Sequence, residues 1–464
     1  MKSRSLFLKI FLLFTAISFS IAPKFVPGFQ RALAWGDDDD HDEHDRRSFP
    51  HNATFTTLIT LPRAVEGLTG DNHGNLFIGG SGTSTPDPCP VWKINLNKPT
   101  LITVGKIAPA SGLSTCGFAG IALNDIGDVF VADGAGARIF SFTPNVGNPP
   151  TVTAPFASGT PGANGLAFDK KGNLWASDGV TGQGRVWKIT GPEANCAPPT
   201  PFNCQEVFRI QPMSNEVNLV AGVGGVGRDI RALPPGVITV TPTSRNATVQ
   251  TLSPPCPNPP GPPCVLGSQP LVANGLAFNK KGDLFNIDTA RGALWKIEFD
   301  HYGNLKSPIG CDTTFTANTL CLSNIFVAHP ILEGGDGIAL DREENIWVDA
   351  NERNAVAVVT KDRKVIEVFR NPVNLPNPAG FGVGLRNAGD QSVGNNHILE
   401  FPTSPFITGK VFCTSMSDGD RRDNSPRSAG EINAGAAQNG TNLLGKISCM
   451  DQELKIPGLP LPVR

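Results

Sequence analysis

The chain has 464 residues with a net charge of −2, and only 17% of its residues are charged, whereas 51 are Gly and 41 are Pro. Nucleic-acid binding relies on clustered Lys and Arg against phosphate, so this charge balance speaks against a nucleic-acid partner. The abundance of Gly and Pro predicts a chain with many turns.

The first 34 residues are predicted to be an export signal. Lys2 and Arg4 precede an apolar run that ends near Ala22, and small residues at 32–34 offer a cleavage site. This run is short for a membrane span, and no later apolar stretch is long enough to be one. We therefore expect a secreted or periplasmic protein without a membrane span.

Residues 35–54 are predicted to be a spacer rich in acidic residues and histidine. The run G-D-D-D-D-H-D-E-H-D at 36–45 is typical of a solvated, disordered segment. The alternative is that its carboxylate and imidazole groups chelate a divalent cation.

The remaining residues, 55–464, are predicted to form one domain built on an internal repeat. The sequence motif N-G-L-A-F-D-K-K-G-N-L-W-A-S-D at 164–178, which we call the repeated motif, recurs 110 residues later, at 274–288, with ten of fifteen positions identical. Further copies and two weaker units lie at 66–80, 119–133, 336–350, 228–240 and 409–418. A mean spacing in the fifties exceeds that of most solenoid repeats and suits propeller blades with long loops.

Each unit has the pattern of four short strands. In the copy that begins at residue 164, G-L-A-F-D is a short apolar segment without helical period, and K-K-G-N is a turn. L-W-A-S-D, V-W-K-I and E-V-F-R-I then follow as a second, third and fourth strand. The prediction is an all-β protein, a β-propeller of six or seven four-stranded blades.

The ten cysteines fall into close neighbours along the chain, without a metal-binding spacing. Together with the export signal, this predicts five disulfides formed in an oxidising compartment. The expected pairs are Cys89–Cys116, Cys196–Cys204, Cys256–Cys264, Cys311–Cys321 and Cys413–Cys449.

The residue before the opening Gly of each unit is predicted to lie at the mouth of the central channel. The six residues in this position are Glu66, Ala119, Asn164, Arg228, Asn274 and Asp336. All of them except Ala119 and Arg228 carry side-chain oxygens. Hard oxygen ligands that converge from separate blades suit a divalent cation, most of all Ca²⁺, with Mg²⁺, Mn²⁺ or Zn²⁺ as alternatives. The competing interpretation is that Asn and Asp before Gly only cap turns through hydrogen bonds to the backbone.

The order E-G-L, N-G-L-A-F and D-G-I-A-L resembles the senescence-marker-protein/gluconolactonase-like propellers, which are related to paraoxonases and have NHL-like blades. In that family a Glu, an Asn and an Asp bind a divalent cation that activates lactone or ester hydrolysis. By position the resemblance implies Glu66, Asn274 and Asp336 as metal ligands. It implies Asn164 as a further residue that contacts the substrate or the metal.

The resulting hypothesis is an exported, monomeric, metal-dependent hydrolase of a lactone or related ester. Asp336 is expected to be both metal ligand and general base, and Arg228 to bind a substrate carboxylate or phosphate. The rival hypothesis is a non-enzymatic extracellular binding propeller, in which the metal site is structural and the disulfide loops form a recognition surface. A metal-dependent lyase on the same scaffold is a third possibility.

Overall fold

We describe a computed structural model of the chain. It describes residues 49–50, 53–81, 88–113, 115–212, 272–289, 291–313, 315–332, 334–351, 355–370, 373–376, 382–384, 399, 401–417 and 445–463. The predicted export signal, most of the predicted 35–54 spacer, Arg228, Cys256 and Cys264 lie outside the described residues.

The described part of the chain consists of short strands and two single turns of 3₁₀ helix, Leu322–Asn324 and Pro330–Leu332. In chain order the first strands are β1 Phe55–Thr60, β2 Val65–Gly70, β3 Asn75–Gly80, β4 Cys89–Asn95, β5 Lys98–Ile107, β6 Phe118–Leu123, β7 Val129–Asp133, β8 Arg138–Phe142, β9 Thr151–Val152, β10 Ala157–Ser158, β11 Ala163–Phe168, β12 Leu174–Asp178, β13 Arg185–Ile189, β14 Ala194–Asn195 and β15 Cys204–Arg209. They are followed by β16 Leu276–Phe278, β17 Leu284–Asp288, β18 Ala293–Ile297, β19 Ile325–Ala328, β20 Gly335–Leu340, β21 Ile346–Ala350, β22 Ala355–Val359, β23 Val365–Arg370, β24 Val373–Pro376, β25 Gly382–Gly384, β26 Pro402–Thr408, β27 Val411–Met416 and β28 Lys446–Met450.

These strands pair into six four-stranded antiparallel blades, which confirms the predicted all-β propeller. Blades 1 to 5 begin with β2, β6, β11, β16 and β20 as their innermost strands. Blade 6 combines β26, β27 and β28 with the N-terminal strand β1, which pairs with β28 from Phe55↔Met450 to Thr60↔Lys446. The two ends of the propeller domain therefore share one blade. The strands β24 and β25 form a separate hairpin.

The repeated motif forms the two innermost strands of a blade and the turn that connects them. In blade 3 the turn Gly172 has φ +79°, a left-handed conformation that Gly adopts without steric cost. The Asp169 carboxylate accepts hydrogen bonds from the backbone N–H of Lys171 and Asn173, both 2.9 Å, and so fixes the turn. Aromatic residues of the middle strands fill the space between blades, and the side chains of Trp187, Trp295 and Trp347 are fully buried.

The ring closes with six blades, so the alternative of seven is not realised. Each innermost strand contacts the innermost strand of the next blade, including β11 of blade 3 with β16 of blade 4 and β26 of blade 6 with β2 of blade 1. The weak unit at 228–240, counted as a possible seventh, lies outside the described residues. Because blades 3 and 4 touch directly, the ring has no position for a blade between them.

Consecutive blades are joined by short parallel strands on their outer edges, which we call clasps. The strand β9 pairs in parallel with β5 of blade 1, and β14 pairs in parallel with β10 of blade 2. A parallel bridge between Arg209 and Thr319 repeats the arrangement between blades 3 and 4. Each clasp covers an otherwise unpaired strand edge, which is a common site of aggregation.

Four of the five predicted disulfides are present, and the fifth pair lies outside the described residues. Cys89–Cys116 links blade 1 to blade 2, whereas Cys413–Cys449 joins two strands of blade 6. Cys196–Cys204 and Cys311–Cys321 close the loops that carry the second and third clasps. These two loops therefore hold blades together.

One mouth of the channel is covered by residues 457–463, which we call the C-terminal plug. Its backbone forms three hydrogen bonds with the inner-strand turns of blades 5 and 6: Gly458 N–H donates to the carbonyl of Gly409, Leu459 N–H to that of Leu340, and Arg342 N–H to that of Pro457. Leu459 and Val463 are buried. Among the described residues, no helix has the length and apolarity needed to cross a membrane.

Candidate functional site

The inner strands of neighbouring blades approach each other so closely that only Gly fits near the start of each copy of the repeated motif. A Cβ on Gly120 would lie 1.9 Å from the backbone oxygen of Asn164, and a Cβ on Gly275 would lie 2.5 Å from that of Asp336. The same backbone contact recurs at Gly67, Gly165 and Gly337. The opening Gly thus allows the next blade to pack, and in blades 1 to 5 the residue before this Gly lies at the same end of the inner strand.

Asn164, Asn274 and Asp336, from blades 3, 4 and 5, line one cavity of about 60 Å³ at this mouth. A water molecule occupies roughly 30 Å³ in the liquid, so the cavity has the size of an ion or one or two waters. A ring of Leu68, Ile121, Leu166, Leu276 and Ile338, which we call the aliphatic collar, also lines it. Below the collar a second, largely apolar cavity of about 90 Å³ extends to the C-terminal plug.

Asn274 is almost completely buried, and its contacts are specific. Its Nδ2 donates to Thr289 Oγ1 at 3.0 Å, and its Oδ1 has no hydrogen-bond partner among the described residues. The carboxamide of Asn286 donates to the carbonyl oxygens of Asn274 and Gly275, both at 3.1 Å. Both the side chain and the backbone of this position are therefore held in place.

Asp336 is 4% exposed and is held by its neighbours on both sides. Its Oδ2 accepts a hydrogen bond of 2.8 Å from Nδ2 of Asn351. Its carbonyl oxygen accepts from the N–H of Gly275 in blade 4, also at 2.8 Å, so the positions of Asp336 and Asn274 are coupled through the backbone.

Glu66 occupies the corresponding position of blade 1, but it is not among the residues that line the cavity. Its carbonyl oxygen accepts hydrogen bonds from the hydroxyls of Thr403 and Ser415 in blade 6. The structure therefore brings together Asn164, Asn274 and Asp336 of the predicted residues, while Arg228 lies outside the described part. In that part, no group of three His, Cys, Asp or Glu side chains is arranged to hold a metal ion.

The cavity nevertheless has the chemistry of a cation site, because its polar groups are carboxamides and a carboxylate. The Oδ1 of Asn274 is a buried acceptor without a partner among the described residues, which is the arrangement expected of a ligand atom. Hard oxygen donors of this kind suit Ca²⁺, Mg²⁺ or Mn²⁺. The residues present thus fit a divalent cation.

The Asp that ends the second strand of blades 2, 3 and 4 is structural. Asp133, Asp178 and Asp288 form ion pairs with Arg138, Arg185 and Arg291 at 2.9, 2.9 and 2.7 Å. Burial raises the pKa of Asp178 and Asp288, and the paired arginine opposes that rise. These carboxylates also accept hydrogen bonds from backbone N–H groups of the following turn, and none of the three lines the cavity.

Blade 5 departs from this pattern and places Asp349 one residue earlier. Asp349 is completely buried, and burial raises the pKa of its carboxyl well above the ordinary value. Its Oδ2 accepts a hydrogen bond from Thr414, while its Oδ1 has no partner in the described part of the chain. Sequence reasoning missed Asp349, as it missed Thr289, Asn286 and Asn351. The available signal was that all four lie in or just after a second strand, beside the residues predicted to line the mouth.

Comparison with known proteins gives one family match. The family described as "SMP-30/Gluconolactonase/LRE-like region" matches residues 265–387, which include Asn274 and Asp336. No curated protein matches the chain significantly.

Several solved structures are similar at low identity. A luciferin-regenerating enzyme is 12% identical with a TM-score of 0.45, over 88% of this chain and 98% of that one. The calcium-binding protein regucalcin from Agrobacterium tumefaciens is 13% identical with a TM-score of 0.43, over 88% and 97%. Virginiamycin B lyase from Staphylococcus aureus is 12% identical with a TM-score of 0.39, over 85% and 98%. The family match over residues 265–387 confirms the resemblance of this propeller to the SMP-30/gluconolactonase/LRE-like proteins.

Proposed function

We propose that this protein is an exported, divalent-cation-dependent hydrolase of a lactone or related ester, and that Asn164, Asn274 and Asp336 form its site. The observation that carries the proposal is the convergence of Asn274 and Asp336 on one small cavity, with a buried Asn274 Oδ1 that lacks a partner among the described residues. Both residues fall within the range matched by the SMP-30/gluconolactonase/LRE-like family.

Each residue has a proposed task in the reaction. Asn274 and Asp336 would hold the cation, with Ca²⁺ preferred over Mg²⁺, Mn²⁺ or Zn²⁺. Glu66 of blade 1, which is not among the residues lining the cavity, is proposed as a further ligand on the family resemblance alone. The cation supplies Lewis-acid polarisation of the carbonyl oxygen. Asp336 takes the proton of the attacking water and returns it to the alkoxide oxygen as the ester C–O bond breaks. The hydrogen bond from Asn351 holds the Asp336 carboxylate in one orientation. Asn164 orients the substrate at the mouth.

Access to the site is proposed to come from one side. The C-terminal plug covers the other mouth, and the aliphatic collar separates the polar cavity from the apolar one. The substrate would therefore lie above the cavity, with its carbonyl carbon facing Asp336. Export to an oxidising compartment, secreted or periplasmic, is consistent with the four disulfides, and no described residue carries a free thiol.

The test combines metal analysis and turnover on one purified sample. We expect hydrolysis of simple γ- and δ-lactones or phenyl acetate, lost with a chelator and restored by Ca²⁺. The Asp336→Asn variant should lose at least about a hundredfold in kcat, as expected for a missing general base. The matched control Asp300→Asn, which changes a half-buried turn residue that does not line the cavity, should keep full activity.

Hydrolysis that survives both chelation and Asp336→Asn would contradict the proposal. Bound cation without turnover on any ester would instead favour a binding propeller with a structural metal site. Elimination products in place of hydrolysis products would identify a lyase.

A further inference from the structure

We propose that Thr289 is a positioning residue that fixes which end of the Asn274 carboxamide is available to a cation. The inference rests on the proposed cation site. Thr289 is completely buried, directly after β17 of blade 4, and contacts blades 4 and 5, which carry Asn274 and Asp336.

The direction of each hydrogen bond follows from the atoms involved. The Oγ1 of Thr289 lies 2.6 Å from the carbonyl oxygen of Gly335, and a carbonyl oxygen can only accept. The single hydroxyl proton of Thr289 is therefore used on Gly335. Towards Asn274, 3.0 Å away, Thr289 can only accept a hydrogen bond. Asn274 must present its NH₂ group to Thr289, which leaves Oδ1 as the atom without a partner among the described residues.

The orientation of the carboxamide decides whether Asn274 offers the cation a ligand atom. A carboxamide oxygen is a cation ligand, whereas the NH₂ group has no lone pair to offer. The backbone of Asn274 is already held by Asn286, so rotation of the carboxamide is the freedom that remains. Without the hydroxyl of Thr289, either end of the carboxamide could face the cavity.

The same hydroxyl also couples the two ligands. Gly335, which accepts the Thr289 proton, directly precedes Asp336 in β20. One side chain thus sets the orientation of Asn274 in blade 4 and ties it to the strand that carries Asp336 in blade 5. Positioning groups behind metal ligands typically change metal affinity by about 10–100-fold when removed.

The primary experiment measures Ca²⁺ affinity by calorimetry on the full exported chain. Thr289→Val keeps the shape of the side chain but removes the acceptor, and we expect affinity to fall by about tenfold or more. Thr289→Ser keeps the hydroxyl and should stay within about threefold of the unsubstituted protein. Thr289→Ala serves as a second variant if the Val variant does not fold.

The matched control is Thr160→Val. Thr160 is also fully buried, but its hydroxyl has no partner among the described residues and does not line the cavity. The control should keep both the fold and the Ca²⁺ affinity of the unsubstituted protein.

A double-mutant cycle with Asn274→Asp separates positioning from general destabilisation. A carboxylate offers oxygen from either end, so Thr289→Val should change Ca²⁺ affinity little when it is combined with Asn274→Asp. Equal losses with and without Asn274→Asp, or no loss when Asn274 is retained, would overturn the inference. If the unsubstituted protein binds no divalent cation, the proposed site itself fails, and the inference fails with it.

Discussion

At the scale of one residue, Gly120 shows why each copy of the repeated motif has a Gly near its start. The sequence pattern predicts a role for the residue before this Gly, whereas the structure shows that the Gly itself makes room for the backbone of the next blade. The distance of 1.9 Å between an added Cβ and the Asn164 carbonyl oxygen involves backbone on both sides, so neither partner can move aside cheaply.

We therefore expect Gly120→Ala to lower the free energy of unfolding by at least about 1–3 kcal/mol, the usual effect of overpacking. Urea denaturation followed by fluorescence measures this. Gly147→Ala is the control, because its nearest atom to the added Cβ is Asn145 Oδ1 at 3.8 Å. Equal stability of the two variants would mean that blades 2 and 3 do not pack this closely.

Asp349 determines the direction in which its own contribution to the free energy of unfolding changes with pH. Its folded-state pKa is raised by burial, so as pH rises above about 4 the unfolded state ionises first and stability falls. This continues until pH passes the folded-state pKa. Asp349→Asn removes the ionisation while keeping an acceptor for Thr414, so the variant should be more stable than the unsubstituted protein at pH 7.

Urea titrations between pH 4 and pH 8 check this expectation. For Asp300, an exposed carboxyl whose pKa is lowered by hydrogen bonds from Asn304, Asp300→Asn should have a small effect of opposite sign. A stability curve of Asp349→Asn parallel to that of the unsubstituted protein would show that Asp349 is already ionised when folded.

At the scale of elements, the clasps join consecutive blades. Cys196–Cys204 closes the loop whose strand β14 pairs with β10 of blade 2. A disulfide with a loop of this size contributes about 2–3 kcal/mol in the chain-entropy account. The loop was open to interpretation as a recognition surface, but its strand already pairs with a neighbouring blade.

We expect the double variant Cys196→Ser and Cys204→Ser to lose about 2–3 kcal/mol of unfolding free energy. Hydrogen exchange should accelerate at Ala157–Ser158, the clasped strand of blade 2. Removing Cys413–Cys449 instead should weaken blade 6 and leave exchange in β10 unchanged. Unaltered protection of β10 in the first variant would show that the disulfide does not maintain the clasp.

At the scale of the whole molecule, the ring is closed by two terminal segments. The strand β1 completes blade 6, and the C-terminal plug covers the mouth opposite the polar cavity. Leu459 and Val463 are buried in that mouth, and each buried aliphatic side chain is worth about 1.5–3 kcal/mol.

Truncation after Ile456 should therefore lower the free energy of unfolding by about 3–6 kcal/mol while the far-ultraviolet spectrum stays that of a propeller. Binding of an apolar fluorescent dye should increase, because the apolar cavity loses its cover. Leu461→Ala is the control, since Leu461 is 41% exposed. Unchanged stability and dye binding after truncation would show that the plug does not seal the channel.

The sequence by itself determined the features that depend on short-range order. Apolar segments separated by Gly turns form antiparallel strands wherever they occur, so the four-stranded unit and its inner strand were predictable. Cysteines close in sequence pair when their loops share a face, and four pairs confirm this. Because the blade motif repeats along the chain, equivalent residues of successive blades lie around one axis. Asn164, Asn274 and Asp336 come together for this reason.

Only the tertiary structure decided the features that depend on which edges meet. The count of six follows from the direct contact of β11 with β16. The inner strand of blade 6 lacks the repeated motif: Ser404, preceded by Thr403, stands at the position that Gly occupies in the inner strands of blades 1 to 5. Thr289 and Asn351 act on residues 15 positions away in the chain, and the plug has no period at all. Contacts of this kind depend on long-range packing, which local patterns in the sequence do not encode.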